Sequence, residues 1–158
     1  MKKSNVHILV VDDNKENLKV VGNFLNEEGY KIAFSLNGEE ALKLLKKNKF
    51  DLILLDIMMP EMDGFEVCNR IKADEELKNV PIIFLTAKSS SEDIVKGFKS
   101  GGVDYITKPF KKEELIVRVQ NHVELKLMRD YLKQESARNK ESRDEMMRTL
   151  MQFGKTLK

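Results

Sequence analysis

The sequence predicts an α/β fold, a doubly wound parallel sheet followed by a helical extension. Two observations carry that reading. Over residues 5–124, five short apolar runs each precede an amphipathic stretch with helical spacing. From residue 125 the chain turns polar, with no proline and no glycine before Gly154.

The runs are Val6–Val11, Tyr30–Phe34, Phe50–Leu55, Pro81–Leu85 and Val103–Ile106. They are short and mostly rich in Val, Ile, Leu or Phe, which suits strands covered on both faces. The first helical stretch shows Leu18, Val21 and Leu25 on one face and ends at Gly29. Ala41, Leu42 and Leu45 mark the second, and Phe65, Cys68 and Ile71 the third. The fourth opens on the capping box Ser89-Ser90-Ser91-Glu92 and closes at Gly101. The fifth begins after Pro109 and carries Leu115, Ile116, Val119 and Val123. Five β-α units in alternation make a sheet with helices on both faces.

Composition excludes several classes. Of 158 residues, 41% are hydrophobic, enough for one ordinary core. With 28 basic and 26 acidic residues the net charge is +2, so electrostatics gives no reason to expect nucleic acid or an anionic membrane surface. No segment approaches the ~20 apolar residues of a membrane span. The first apolar run is too short for a signal-peptide core. Cys68 is the sole cysteine, which fits a reducing cytoplasm. Its place on the apolar side of the third helix favours packing over redox chemistry. His7 and His122 stand alone, without metal-ligand spacing.

The polar residues gather where such a fold puts its crevice, at the carboxyl ends of the strands. Asp12 and Asp13 follow the first run, Asp56 the third and Thr86 the fourth; Lys108 follows the fifth by two residues. Three facing carboxylates repel and so recruit a cation, and Mg²⁺ favours a site of carboxylates, waters and phosphate oxygens. Asp56 can then attack phosphorus as a carboxylate nucleophile. Lys108 supplies positive charge and Thr86 a hydroxyl for the transferring oxygens. Each residue alone has a plainer reading: an aspartate after a strand caps a helix, and Lys-Pro makes a turn. All five at matching strand ends point to phosphoryl chemistry.

Five motifs resemble the receiver domains of two-component response regulators, the CheY-like superfamily. They are Val10-Val11-Asp12-Asp13-Asn14, Leu54-Leu55-Asp56-Ile57-Met58-Met59-Pro60, Met62-Asp63-Gly64, Leu85-Thr86-Ala87 and Tyr105-Ile106-Thr107-Lys108-Pro109-Phe110. The resemblance covers residues 6 to about 124. It implies a flavodoxin-like (βα)5 fold with strand order 2-1-3-4-5. It implies Asp56 as phosphoacceptor. Mg²⁺ (or Mn²⁺) would be held by Asp12, Asp13, Asp56 and the backbone carbonyl of Met58. Thr86, Ala87 and Lys108 would bind the phosphoryl group, with Thr86 and Tyr105 as the switch pair. It further implies a cis Lys108–Pro109 bond and a sensor histidine kinase or phosphotransfer protein as donor. Asn17, Val20 and Phe24 on the first helix are candidates for docking that donor. Met58 and Lys88, two residues after Asp56 and Thr86, sit where the family tunes phosphoryl lifetime. Met58 cannot orient an attacking water, which favours a long-lived state. Lys96, Asp104, Glu114 and Arg118 match charged pairs that some members use to dimerise, although Val103 breaks the set.

Other functions fit less well. A haloacid dehalogenase-type phosphohydrolase resembles Asp-x-Asp, and Met58 stands where its second acid belongs. A flavin or nucleotide binder needs a phosphate cradle after the first strand, where Asp12 and Asp13 repel phosphate without a metal. A DNA-binding protein needs a helix-turn-helix or a basic domain, and neither is visible. A pseudo-receiver adaptor, or the receiver part of a longer protein with an output domain, remains the alternative to a phosphorylated switch with no enzymatic output here.

Residues 125–158 read as a helical extension, a coiled coil or a linker. Past Val123 the apolar face rotates to Leu125, Met128 and Leu132. One heptad register puts Leu125, Leu132, Asn139, Met146 and Phe153 at a, with Met128, Glu135, Ser142 and Thr149 at d. A homodimer with Asn139 fixing its register and a solvated single helix both fit that pattern. Met146, Met147, Leu150, Met151, Phe153 and Leu157 make an apolar end.

Overall fold

The computed structural model describes residues 2–87 and 91–156. A short 3-10 turn, Lys3–Asn5, leads into the first strand. Strands β1 (His7–Val11), β2 (Lys31–Ser35), β3 (Leu52–Asp56), β4 (Ile82–Thr86) and β5 (Asp104–Thr107) form one parallel sheet in the order 2-1-3-4-5. Helices α1 (Lys15–Glu27), α2 (Gly38–Lys47), α3 (Gly64–Ala73), α4 (Ser91–Ser100) and α5 (Lys112–Thr156) alternate with them. This is the predicted doubly wound, flavodoxin-like fold.

Four strands end one residue beyond the apolar run that announced them. Hydrogen bonding follows the backbone, not side-chain polarity, so the ladder continues through the first polar residue. The Ile57 amide donates to the Leu85 carbonyl at 3.1 Å and the Lys108 amide to the Thr86 carbonyl at 2.7 Å. Asp56 and Thr86 are therefore the last residues of β3 and β4, and Lys108 directly follows β5. The expectation of five doubly covered strands holds for β3 and β4, which are buried throughout. It fails for β2, whose Phe34 is 47% exposed. β2 is an edge strand with a neighbour on one side only.

Among the described residues, side-chain caps start three helices. The Asn14 side chain accepts from the amides of Glu16 and Asn17, Asn37 from Glu40, and Asp63 from Glu66. Gly29 and Gly101, at φ +91° and +112°, follow α1 and α4 as expected. Ser89 and Ser90 of the predicted capping box, Lys88 and Leu157 lie outside the described residues.

The two faces of the sheet bury different helices. Leu9, Val11, Ile53, Leu55, Ile82 and Phe84 share a core with Ala41 and Leu45 of α2 and Phe65, Val67, Cys68 and Ile71 of α3. Alternate residues turn to the opposite face. There Phe34, in register with Val10, packs over Gly22 of α1. Lys112 of α5 pairs with Glu27 of α1 at 2.5 Å, and Leu115, Ile116, Val119 and Val123 are buried, as their spacing predicts. Packing divides the chain into two units, Met1–Glu124 and Leu125–Lys158. Among the described residues, no helix is long and apolar enough to cross a membrane.

Candidate functional site

The site forms where β1 and β3, neighbours in the sheet, end together. Asp12 follows β1 and is fully buried, its amide held by the Ser35 carbonyl at 3.1 Å. Its Oδ1 accepts from the Asn14 amide at 2.9 Å and its Oδ2 from Asn17 Nδ2 at 3.1 Å. Asp13 is exposed beside it, and Asp56 is buried at the end of β3. One carboxylate oxygen from each of Asp12, Asp13 and Asp56 lies within 4.8 Å of the others. Lys108 Nζ bridges two of them, 3.0 Å from Asp56 Oδ1 and 3.2 Å from Asp12 Oδ2. The five residues singled out in the sequence are thus gathered at one end of the sheet.

Crowding sets the electrostatics. Burial, followed by the charge of Asp12, pushes the Asp56 carboxyl up to about 6, against the pull of Lys108. Burial disfavours the charge on Lys108, but its hydrogen bonds and attraction to Asp56 and Asp12 prevail and raise its pKa. Three acids crowd together, and Lys108 pairs with two of them. That surplus of carboxylate oxygens suits a hard divalent cation, so the cluster fits the Mg²⁺ expected here.

The β3–α3 loop is drawn tightly onto the site. The Gly64 amide donates to the Ile57 carbonyl at 2.8 Å. A Cβ on Gly64 would collide with the Asp56 carbonyl oxygen, so this approach requires glycine. Met58, in the same loop, has a side chain 75% exposed.

From the site the fold leads to its β4–β5 flank. Thr86 is buried and Ala87 exposed. The half-buried Tyr105 ring stands edge-on to Phe98 at 6.3 Å, with the Arg118 guanidinium 5.8 Å from its centre. Arg118 also pairs with Asp104 at 2.8 Å and Glu114 at 3.3 Å. His122, read as isolated, is not: its Nε2 lies 3.0 Å from Asp104 Oδ2. Burial pushes the Asp104 carboxyl up, but hydrogen bonds from the Tyr105 amide, His122 and Arg118 outweigh it and hold the pKa low. Lys96 Nζ sits 4.5 Å over the Phe65 ring. Asp104, Glu114 and Arg118, matched in sequence to pairing between chains, therefore make these contacts within one chain. The Lys108–Pro109 peptide is cis.

On α1, Asn17 belongs to the crevice through Asp12, Val20 is exposed and Phe24 is half-buried. Cys68 is fully buried and donates to the Ser100 carbonyl at 3.3 Å. Burial pushes its thiol up to about 11, in keeping with a packing role. Sequence reasoning missed the Asn17–Asp12 bond and the Asp104–Arg118–His122 cluster. The only signal for the first was an amide five residues after an acid.

Comparison with known proteins matches residues 8–120 to the response regulator receiver domain. The chain is 44% identical over 136 residues to the transcriptional regulatory protein YvrH of Bacillus subtilis, covering 85% of this chain and 54% of that protein. It is 38% identical over 130 residues to the response regulator PleD of Caulobacter vibrioides, covering 82% of this chain and 29% of that one. It spans about half or less of the curated relatives it matches. Among solved structures, the chemotaxis response regulator CheY4 of Vibrio cholerae superposes with a TM-score of 0.71 at 32% identity, over 74% of this chain and 98% of that one. The receiver domain of the Francisella response regulator 1452 gives 0.70 at 37% identity, over 76% and 98%.

Proposed function

The chain belongs to the response regulator receiver family, and on that premise we propose that it is a phosphoryl-accepting switch with Asp56 as acceptor. The observation that carries this reading is the Lys108 ammonium, shared between Asp56 and Asp12 with Asp13 alongside. An Asp56 oxygen attacks the donor phosphorus, and an O–P bond forms as the donor's bond to phosphorus breaks. The donor class is a phosphohistidine of a sensor histidine kinase or phosphotransfer protein, whose leaving imidazole takes a proton from solvent. Lys108 holds one phosphoryl oxygen by charge, and the Thr86 hydroxyl and Ala87 amide donate to the others. Asp12, Asp13, Asp56 and the Met58 carbonyl would hold Mg²⁺ (or Mn²⁺), which would supply charge neutralisation for the phosphoryl group. Asn17, which bonds Asp12, and Val20 and Phe24 on the same helix form the docking patch for the donor.

Phosphorylation draws Thr86 toward the new group and shifts an existing equilibrium of the Tyr105 ring. The receiver, residues 5–124, is a switch without an output activity of its own. Residues 125–158 carry the change to a partner or a second copy. Met58 orients no water, so the phosphoryl state is long-lived. The site's location is the cytoplasm, where sensor kinases present their phosphohistidines.

Intact-protein mass spectrometry after incubation with acetyl phosphate tests the proposal. The wild type gains one phosphoryl group with Mg²⁺ and none after chelation, and Asp56→Asn gains none. A wild type that stays unmodified with acetyl phosphate and with phosphohistidine donors overturns it in favour of a pseudo-receiver adaptor.

A further inference from the structure

Beyond Glu124, Leu125, Met128, Leu132, Met146, Leu150 and Phe153 are each 55–65% exposed on α5. They belong to one stripe. Positions 125, 128, 132, 135, 139, 143, 146, 150 and 153 recur at spacings of three and four, the signature of a helix-pairing seam. Two consecutive fours meet at Asn139, a four-residue insertion in the heptad pattern. That shift removes Ser142 and Thr149 from the seam and brings in Leu150.

Read along the helix, the seam runs three apolar residues, Glu135, Asn139, Arg143, then three apolar residues. Its spacing is a mirror image about Asn139, and its charges are complementary across that mirror. We propose that this helix pairs with a second copy of itself in antiparallel orientation, centred on Asn139. In that arrangement Leu125 meets Phe153, Met128 meets Leu150, and Leu132 meets Met146. Glu135 meets Arg143 twice, once on each side of the centre. Asn139 meets its own copy, and its amide can both donate and accept.

Charge decides the direction. A parallel pair would set Glu135 against Glu135 and Arg143 against Arg143. Within one helix Glu135 contacts Arg138 at 3.1 Å, a pair three residues apart with an exposed arginine, which competes weakly. Symmetry decides the occupant. A two-fold contact requires that where residue i meets j, j also meets i. An unrelated partner would impose no such mirror on this sequence. The inference concerns the second unit alone and is independent of the phosphoryl chemistry.

The test uses the full, unphosphorylated chain. Sedimentation equilibrium is expected to give a dimer. Glu135→Arg is expected to weaken it about tenfold or more, and adding Arg143→Glu to restore it to within about threefold. Thiol cross-linking fixes the direction, because the native Cys68 is buried. A mixture of Met128→Cys and Leu150→Cys chains should form the mixed disulfide, with little product from either chain alone. Circular dichroism on each variant confirms retained helix. A chain monomeric at roughly 0.1 mM overturns the proposal. So does a double charge variant as weak as the single one, or self-coupling of the Met128→Cys chain.

Discussion

The two units depart from the usual partition of side chains in opposite directions. Residues 1–124 bury charge: Asp12 and Asp56 lie inside, at the ends of adjoining strands. Residues 125–156 do the reverse and leave large apolar side chains in water. A buried carboxylate and an exposed apolar stripe are the two informative exceptions to ordinary burial. They differ in what sustains them. The carboxylates are held by the Asn14 amide, Asn17 and Lys108, in a scaffold of buried strands that cannot relax around them. Among the described residues, the stripe's large apolar side chains stay exposed along the helix that displays them. The first unit thus carries electrostatic strain within one chain, and the second carries surface suited to association.

The sharpest way to break this contrast is to remove the cation that makes the buried charge useful. Lys108→Ala should slow phosphoryl uptake from acetyl phosphate by about 10²–10³-fold, measured by stopped-flow or by mass against time. A change below a few-fold would mean that Lys108 serves only the fold.

A smaller effect reads the strain directly. Asp56→Asn should stabilise the metal-free protein by about 2 kcal/mol at pH 7.5, by urea denaturation. The sign follows from the carboxyl at about 6 in the fold against an ordinary 3.8. As pH rises from 4 to 6, the unfolded chain releases its proton more readily, so the wild type loses stability. The gain from Asp56→Asn should therefore be absent near pH 4, open through that window and level off above pH 6. A gain independent of pH would refute the electrostatic account.

The smallest effect is expected in the second unit. Leu132→Gln combined with Phe153→Gln should change the stability of the receiver by less than about 0.5 kcal/mol, read from its own unfolding transition at a concentration where the chain is monomeric. A larger loss would mean that the stripe contributes to the receiver's fold.

Much of the first unit was legible because its signals are local. The alternation of apolar runs and helical spacing names the fold without knowledge of any contact. Asp12, Asp13, Asp56, Thr86 and Lys108 announce a site because a parallel sheet brings its strand ends together. The same logic fell short where polarity and hydrogen bonding disagree, as at Asp56 and Thr86, which complete their strands. In the second unit the stripe is visible in the sequence, but whether its side chains are exposed is not.

The sequence by itself determined the order of elements, the helix stops at Gly29 and Gly101, and the chemistry available at the strand ends. Each depends on residues a few positions apart. The tertiary structure alone decided that Gly64 must lie against the Asp56 carbonyl, and which groups pair. Lys108 reaches Asp56 across 52 residues and His122 reaches Asp104 across 18. Such partners are chosen by distance in space after the sheet has assembled, and a local pattern along the chain carries no record of that distance.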